Sequence, residues 1–140
     1  MKMTNGIMKL LYDAMNQQGF MENATGATGY ALYRNLRILA DELKDYDKVI
    51  NDAIRKYGVE LPDNSGYALN PEDKKAIDKF SKAVTPVMNL QVDVNLYQIP
   101  KESFELPYCE TATPNHYALI EDFLVKQDVL DNADSTIIEG

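Results

Sequence analysis

The chain has 140 residues, a net charge of −8, one cysteine and one histidine. That length suits one self-sufficient domain. A lone Cys109 excludes an internal disulfide, and Cys109 with His116 falls short of a zinc ligand set. No apolar run approaches the ~20 residues of a membrane span.

The first predicted helix runs from about Asn5 to Gln18. Thr4 or Asn5 would cap it, Ile7, Leu10, Leu11, Ala14 and Met15 would form its apolar face, and Gly19 would end it. Phe20 and Met21 would anchor the following loop. The strongest pattern comes next. Leu32, Leu36, Leu39, Leu43, Tyr46, Ile50, Ala53 and Tyr57 recur at alternating spacings of four and three. With 45% hydrophobic residues, eight such hits arise by chance in roughly 0.2% of trials, or about 1% over seven registers. The pattern predicts one unbroken helix from about residue 28 to 57, ~45 Å long, against a diameter of ~37 Å for a 140-residue globule. Thr25 or Thr28 would cap it and Gly58 would stop it. Asp41–Lys44, Asp45–Lys48 and Asp52–Lys56 are spaced to pair on its outer face.

Leu61 to Gly66 contains Pro-Asp-Asn-Ser-Gly, turn chemistry that suits either a small hairpin or an irregular loop. Asn70-Pro71-Glu72-Asp73 predicts a helix start with Asn70 as cap. Ala76, Ile77, Phe80, Ala83 and Val84 would be its buried face, and Pro86 would break or kink it near Thr85. Leu90, Val92, Val94 and Leu96 alternate with polar residues and Tyr97, the period of a half-buried strand over residues 90–99. Ser103 to Tyr108 offers a second, poorly patterned strand. Thr113-Pro114 opens a last helix to about Lys126, burying Ala118, Leu119, Phe123 and Leu124. The expected fold is therefore α+β and mostly helical: a long central helix packed with shorter helices and a small two-stranded β element. Residues 1–127 would form this domain and residues 128–140 an acidic, flexible tail.

Charge is graded along the chain. Residues 1–58 carry 7 acids and 8 bases, residues 59–120 carry 9 and 5, and residues 121–140 carry 6 and 1. Such a field repels phosphate backbones, so direct nucleic-acid binding is not expected. The acidic C-terminal half either serves solubility or imitates nucleic acid in a partner's basic groove.

Chemistry is hard to place on these residues. Cys109 and His116 could pair only across a proline, and nucleophilic catalysis needs an orienting third group. The glycines Gly26 and Gly29 are too sparse for a phosphate loop. The acid pairs Asp41/Asp45, Asp45/Asp47 and Asp73/Asp78 sit among lysines on solvated faces. Asp63-Asn64-Ser65-Gly66 lacks the terminal glutamate of a calcium loop. No catalytic, cofactor or metal residues are assigned, and a non-enzymatic role is expected. Tyr30, Tyr33, Arg34 and Arg37, with Asp41 beyond them, form a basic-aromatic patch of the composition favoured at protein contacts.

The order of motifs resembles a family of small proteins of unknown function encoded by phages and prophages of Gram-positive bacteria. The likeness lies in the helix opening Tyr30-Ala31-Leu32-Tyr33-Arg34-Asn35 and the helix end Lys56-Tyr57-Gly58. It continues through Gln91-Val92-Asp93-Val94, the span Ile99 to Phe104 and the helix Tyr117 to Phe123. It covers about residues 5–125 and departs in the polar Ala24–Gly29 stretch and the acidic tail. The resemblance implies a phage setting and no particular activity; the single cysteine fits a reducing cytosol, so the expected location is the bacterial host cytoplasm, with the virion as the alternative. The expected function is then an accessory factor that binds a host or phage protein through Tyr30, Tyr33, Arg34, Arg37 and Asp41. The alternatives are an inhibitor of a host anti-phage defence enzyme acting by acidic mimicry, and a virion or assembly component that self-associates through the long helix.

Overall fold

The structure is a computed structural model and describes residues Met1–Gln127; the acidic tail predicted at 128–140 lies outside them. The described residues contain six α-helices and two separate two-stranded antiparallel sheets, a mostly helical α+β fold as the periodicities require. The chain gathers into two compact units, each built from separated stretches: Met1–Leu10 with Ile38–Asn95, and Leu11–Arg37 with Leu96 onward.

In the first unit, β1 (Lys2–Thr4) pairs with β4 (Gln91–Asp93), Met3 opposite Val92. Of the predicted 90–99 strand, Gln91–Asp93 form β4, but the alternation persists: Val94 is buried while Gln91, Asp93 and Asn95 are exposed. Leu90, expected inside, is exposed. Helix α1 (Asn5–Met15) starts directly after β1. The Ile7 amide donates to the Thr4 hydroxyl, which settles the cap, and the Asn5 amide nitrogen donates instead to the Val87 carbonyl at 2.9 Å. Ile7 and Leu10 are exposed, and Met8 takes the buried position in this unit. Leu11, Ala14 and Met15 are buried as expected.

The predicted long helix is two helices, α3 (Gly26–Glu42) and α4 (Lys44–Tyr57). Leu43 separates them with φ −87° and ψ −2°, well off the helical ψ of about −42°. The Leu43 amide still donates to the Leu39 carbonyl and the Asp47 amide to the Leu43 carbonyl, so the interruption is a local tightening. The pieces are ~26 and ~21 Å long. The stripe itself is inside. Leu39, Leu43, Tyr46 and Ala53 are buried in the first unit, with Ile50 and Tyr57 half-buried. Asp41–Lys44 pair as expected at 3.0 Å, but Lys48 bonds forward to Asp52 at 3.2 Å, replacing the Asp45–Lys48 and Asp52–Lys56 pairs.

The turn after α4 is a hairpin of β2 (Val59–Glu60) and β3 (Tyr67–Ala68). Gly58 makes it feasible: a side-chain carbon there would lie 2.5 Å from the Ile54 carbonyl oxygen and 2.6 Å from that of Ala68. Helix α5 (Lys74–Met88) packs on α4. Its cap is Asp73, which accepts from the Ala76 amide, while Asn70 closes a turn by accepting from Glu72; the start therefore lies three residues beyond the predicted one. Ala83 is exposed and Val84 buried. Pro86 does not break the helix at Thr85. It sits in the last turn, where one missing N–H costs a single backbone bond and the helix closes at Asn89.

In the second unit, Asn16 and Gln17 separate α1 from the short helix α2 (Gln18–Asn23), so Gly19 lies inside a helix and does not end one. Phe20 is fully buried and meets Tyr117 edge-on, ring centroids 5.2 Å apart. Leu11, Ala14, Met15, Ala31, Leu32 and Leu36 complete one side of this core. Helix α6 (Pro114–Leu124) begins with the predicted Thr113 cap, and His116 Nδ1 reciprocates by accepting from the Thr113 amide at 3.1 Å. Its buried residues are Ile120 and Leu124, while Ala118 is exposed and Leu119 and Phe123 are half-buried. The strand predicted at 103–108 is absent. Lys101–Ser103 form a 3-10 turn, the chain beyond is irregular, and a parallel bridge joins Ile99 to Val125.

Asn35 is fully buried; its Nδ2 donates to the Tyr97 carbonyl at 2.8 Å and its Oδ1 accepts from the Tyr97 amide at 2.7 Å. Asn35→Ala leaves both backbone groups unsatisfied and is expected to lower stability by about 2–4 kcal/mol, read as a reduced urea midpoint. An unchanged midpoint would show that the pair does not hold this segment.

Candidate functional site

Three of the predicted contact residues share one face of α3 in the second unit. Tyr30 and Arg34 lie one turn apart, and Arg34 Nη1 donates to the Tyr30 hydroxyl at 3.1 Å. The guanidinium carbon stands 6.0 Å from the Tyr30 ring centroid and 5.4 Å from that of Tyr97. The two rings meet edge-on at 5.2 Å. Arg37 follows Arg34 by three residues, is exposed, and forms no hydrogen bond or ion pair among the described residues. Tyr33 is half exposed and donates its hydroxyl to the Met21 carbonyl at 3.0 Å, which ties α2 to α3. Asp41 is not part of this cluster: it belongs to the first unit and pairs with Lys44.

Sequence reasoning missed Tyr97 and Asn35. Tyr97 occupies a solvated position of the alternating segment, and nothing local links it to a helix sixty residues earlier. The pair of bonds from Asn35 does so. A buried primary amide has one donor side and one acceptor side, and here both face the backbone of a single residue, as a neighbouring strand would. The signal was a polar residue in the inward register between Leu32 and Leu39.

The electrostatic character of the cluster is specific. An exposed arginine over aromatic faces gains roughly 0.5–1 kcal/mol per contact, and its planar fork is oriented before any ligand arrives. No carboxylate pairs with Arg34 among the described residues, although the chain carries 22 acids against 14 bases.

Other features offer less. An open hollow of about 450 Å³ at the start of α3 is lined by Thr25, Thr28, Ser103 and Glu105. Thr28 is buried but satisfied, donating to the Ser103 carbonyl and accepting from the Glu105 amide at 2.8 Å. In the first unit a groove of about 380 Å³ runs beside Ile7, Leu10, Tyr46 and Met88. No group of three His, Cys, Asp or Glu among the described residues is arranged to hold a metal ion, and no described helix is long and apolar enough to cross a membrane.

Cys109 and His116 do not form a pair: the His116 ring serves the α6 cap, and the Cys109 thiol lies 3.4 Å from the Thr111 hydroxyl. Cys109 is buried against Gly19, where a side-chain carbon would sit 2.8 Å from Sγ. Burial pushes the thiol up, but the Thr111 hydroxyl and the backbone amides of Thr111, Ala112 and Gly19 outweigh it, holding the thiol below its ordinary value.

No protein family, curated protein or solved structure matches the chain.

A thiol depressed in the folded state binds fewer protons there than in the unfolded chain across the interval between the two pKa values. Stability should therefore rise with pH through that interval and be lost again as pH falls through the folded value. Urea unfolding of wild type and Cys109→Ser across this range checks it: the serine variant should lack the rise, and parallel curves would refute the assignment.

Proposed function

We propose that the chain is a non-enzymatic accessory factor that binds a partner protein through the Tyr30–Arg34–Tyr97 surface, with Tyr33 and Arg37 at its margin. The observation that carries this reading is Arg34: exposed, held by two aromatic residues, and without a carboxylate among the described residues. Tyrosine and arginine are enriched among the residues that dominate the energetics of protein contacts. A side chain already fixed in place loses less on binding.

The motif order keeps a phage-encoded setting part of this proposal. Acidic mimicry by the C-terminal residues stands as a second reading on the charge gradient, with five net negative charges from 6 acids and 1 base over residues 121–140. Self-association through the apolar stripe is less well supported, because Leu32, Leu36, Leu39 and Leu43 are buried within the chain.

Affinity capture from the organism that carries the gene tests the first reading. Tyr30→Ala and Arg34→Ala replace exposed side chains and should lower unfolding free energy by no more than about 1–2 kcal/mol, the ring contacts each removes, leaving the fold intact. Each is expected to reduce recovery of the partner at least tenfold. Equal recovery by folded variants would refute it. Loss only when the acids of 121–140 are neutralised, with strong salt dependence, would favour mimicry.

A further inference from the structure

Resting on the partner-binding reading above, we infer that the Arg34–Arg37 face of α3 receives an acidic peptide segment of that partner, with Arg34 as the fork for one carboxylate. Three observations converge. Arg34 has its ring-facing side occupied by Tyr97 and one nitrogen committed to Tyr30. The remaining edge of the guanidinium keeps donors for a planar, two-oxygen acceptor. Arg37 stands one turn on with no bond among the described residues. Like charges at this spacing oppose each other by a few tenths of a kcal/mol, a penalty that an anion between them would turn into attraction.

The geometry favours carboxylate over phosphate. Many phosphate sites add free backbone N–H groups from helix starts or loops. Arg34 and Arg37 sit in the middle of the seventeen-residue α3, where backbone N–H groups are used within the helix. The face therefore offers side-chain forks alone, which suit successive glutamates or aspartates. The edge-on Tyr30–Tyr97 pair beside the fork would accept the apolar stems of those acids.

The test uses the full chain and a fluorescein-labelled peptide of alternating Glu and Ser, with a Gln-for-Glu peptide as control. Binding is followed by anisotropy, and the Arg34 Nε–H signal by side-chain NMR. The expected result is binding of the Glu peptide and not the Gln peptide, with movement of the Arg34 signal. Arg34→Gln and Arg37→Gln should each weaken it roughly tenfold or more. Arg34→Lys, which keeps the charge but loses the fork and the stack, should weaken it nearly as much.

Full binding by Arg34→Lys would overturn the fork, and tighter binding of a phosphoserine peptide would overturn the carboxylate assignment. Tenfold tighter binding after Asp128→Asn, Asp131→Asn, Asp134→Asn and Glu139→Gln together would overturn the external partner in favour of the chain's own acids. Failure of the Glu peptide, while Arg34→Ala still abolishes partner capture, would sink this inference and leave the partner-binding reading intact. Glu-peptide binding through Arg34 with capture indifferent to Arg34 would sink the partner-binding reading and, with it, the assignment of the acidic segment to that partner.

Discussion

The second unit depends on one buried amide. Asn35 lies in a helix face otherwise lined by leucines, a position where an unsatisfied polar group would cost several kcal/mol. It is tolerated because both ends of its amide are bonded to Tyr97. The consequence reaches the surface. With its backbone clamped to α3, Tyr97 places its ring against Tyr30 and under Arg34. An interior hydrogen-bond pair thus arranges an exterior cation and its two aromatic supports.

The same device recurs along the irregular segment between residues 96 and 113. Backbone groups that leave regular structure must find other partners when buried. Side chains from the helices supply some of them: Thr28 bonds to Ser103 and Glu105, and the Tyr117 hydroxyl accepts from the Cys109 amide, while Gln98 of the segment itself donates to the Phe123 carbonyl of α6. A segment without strand or helix is held by a handful of polar side chains, so small polar residues in this sequence carry structural weight that composition alone does not reveal.

What the sequence disclosed follows from where the information is local. The leucine stripe, the Thr113 cap and the alternation around Val92 and Val94 are short-range patterns, and the structure places each where it was expected. The break at Leu43 was not legible, since no proline or glycine stands near it and the apolar phase runs through it undisturbed. Strand β1 was equally hidden: three residues beside a helix start reveal nothing about a partner ninety residues away. The buried face of α1 was legible in Leu11, Ala14 and Met15 but not at its first turn, where Met8 and not Ile7 or Leu10 is buried. Of the candidate site, Tyr30 and Arg34 could be found by their one-turn spacing. Tyr97 could not, since its placement depends on a long-range bond from a residue type that usually signals a surface.

The interruption at Leu43 also separates phase from continuity. Leu39, Leu43, Tyr46 and Ala53 remain on one inward line although the backbone passes through a non-helical residue. Each residue of helix advances the side-chain direction by about 100°. Lengthening or shortening the chain by one residue at this joint would therefore swing the whole of α4, carrying Tyr46 and Ala53 toward water and Asp45 or Asp52 toward the interior. The length of the joint is fixed by the sequence of burial on either side.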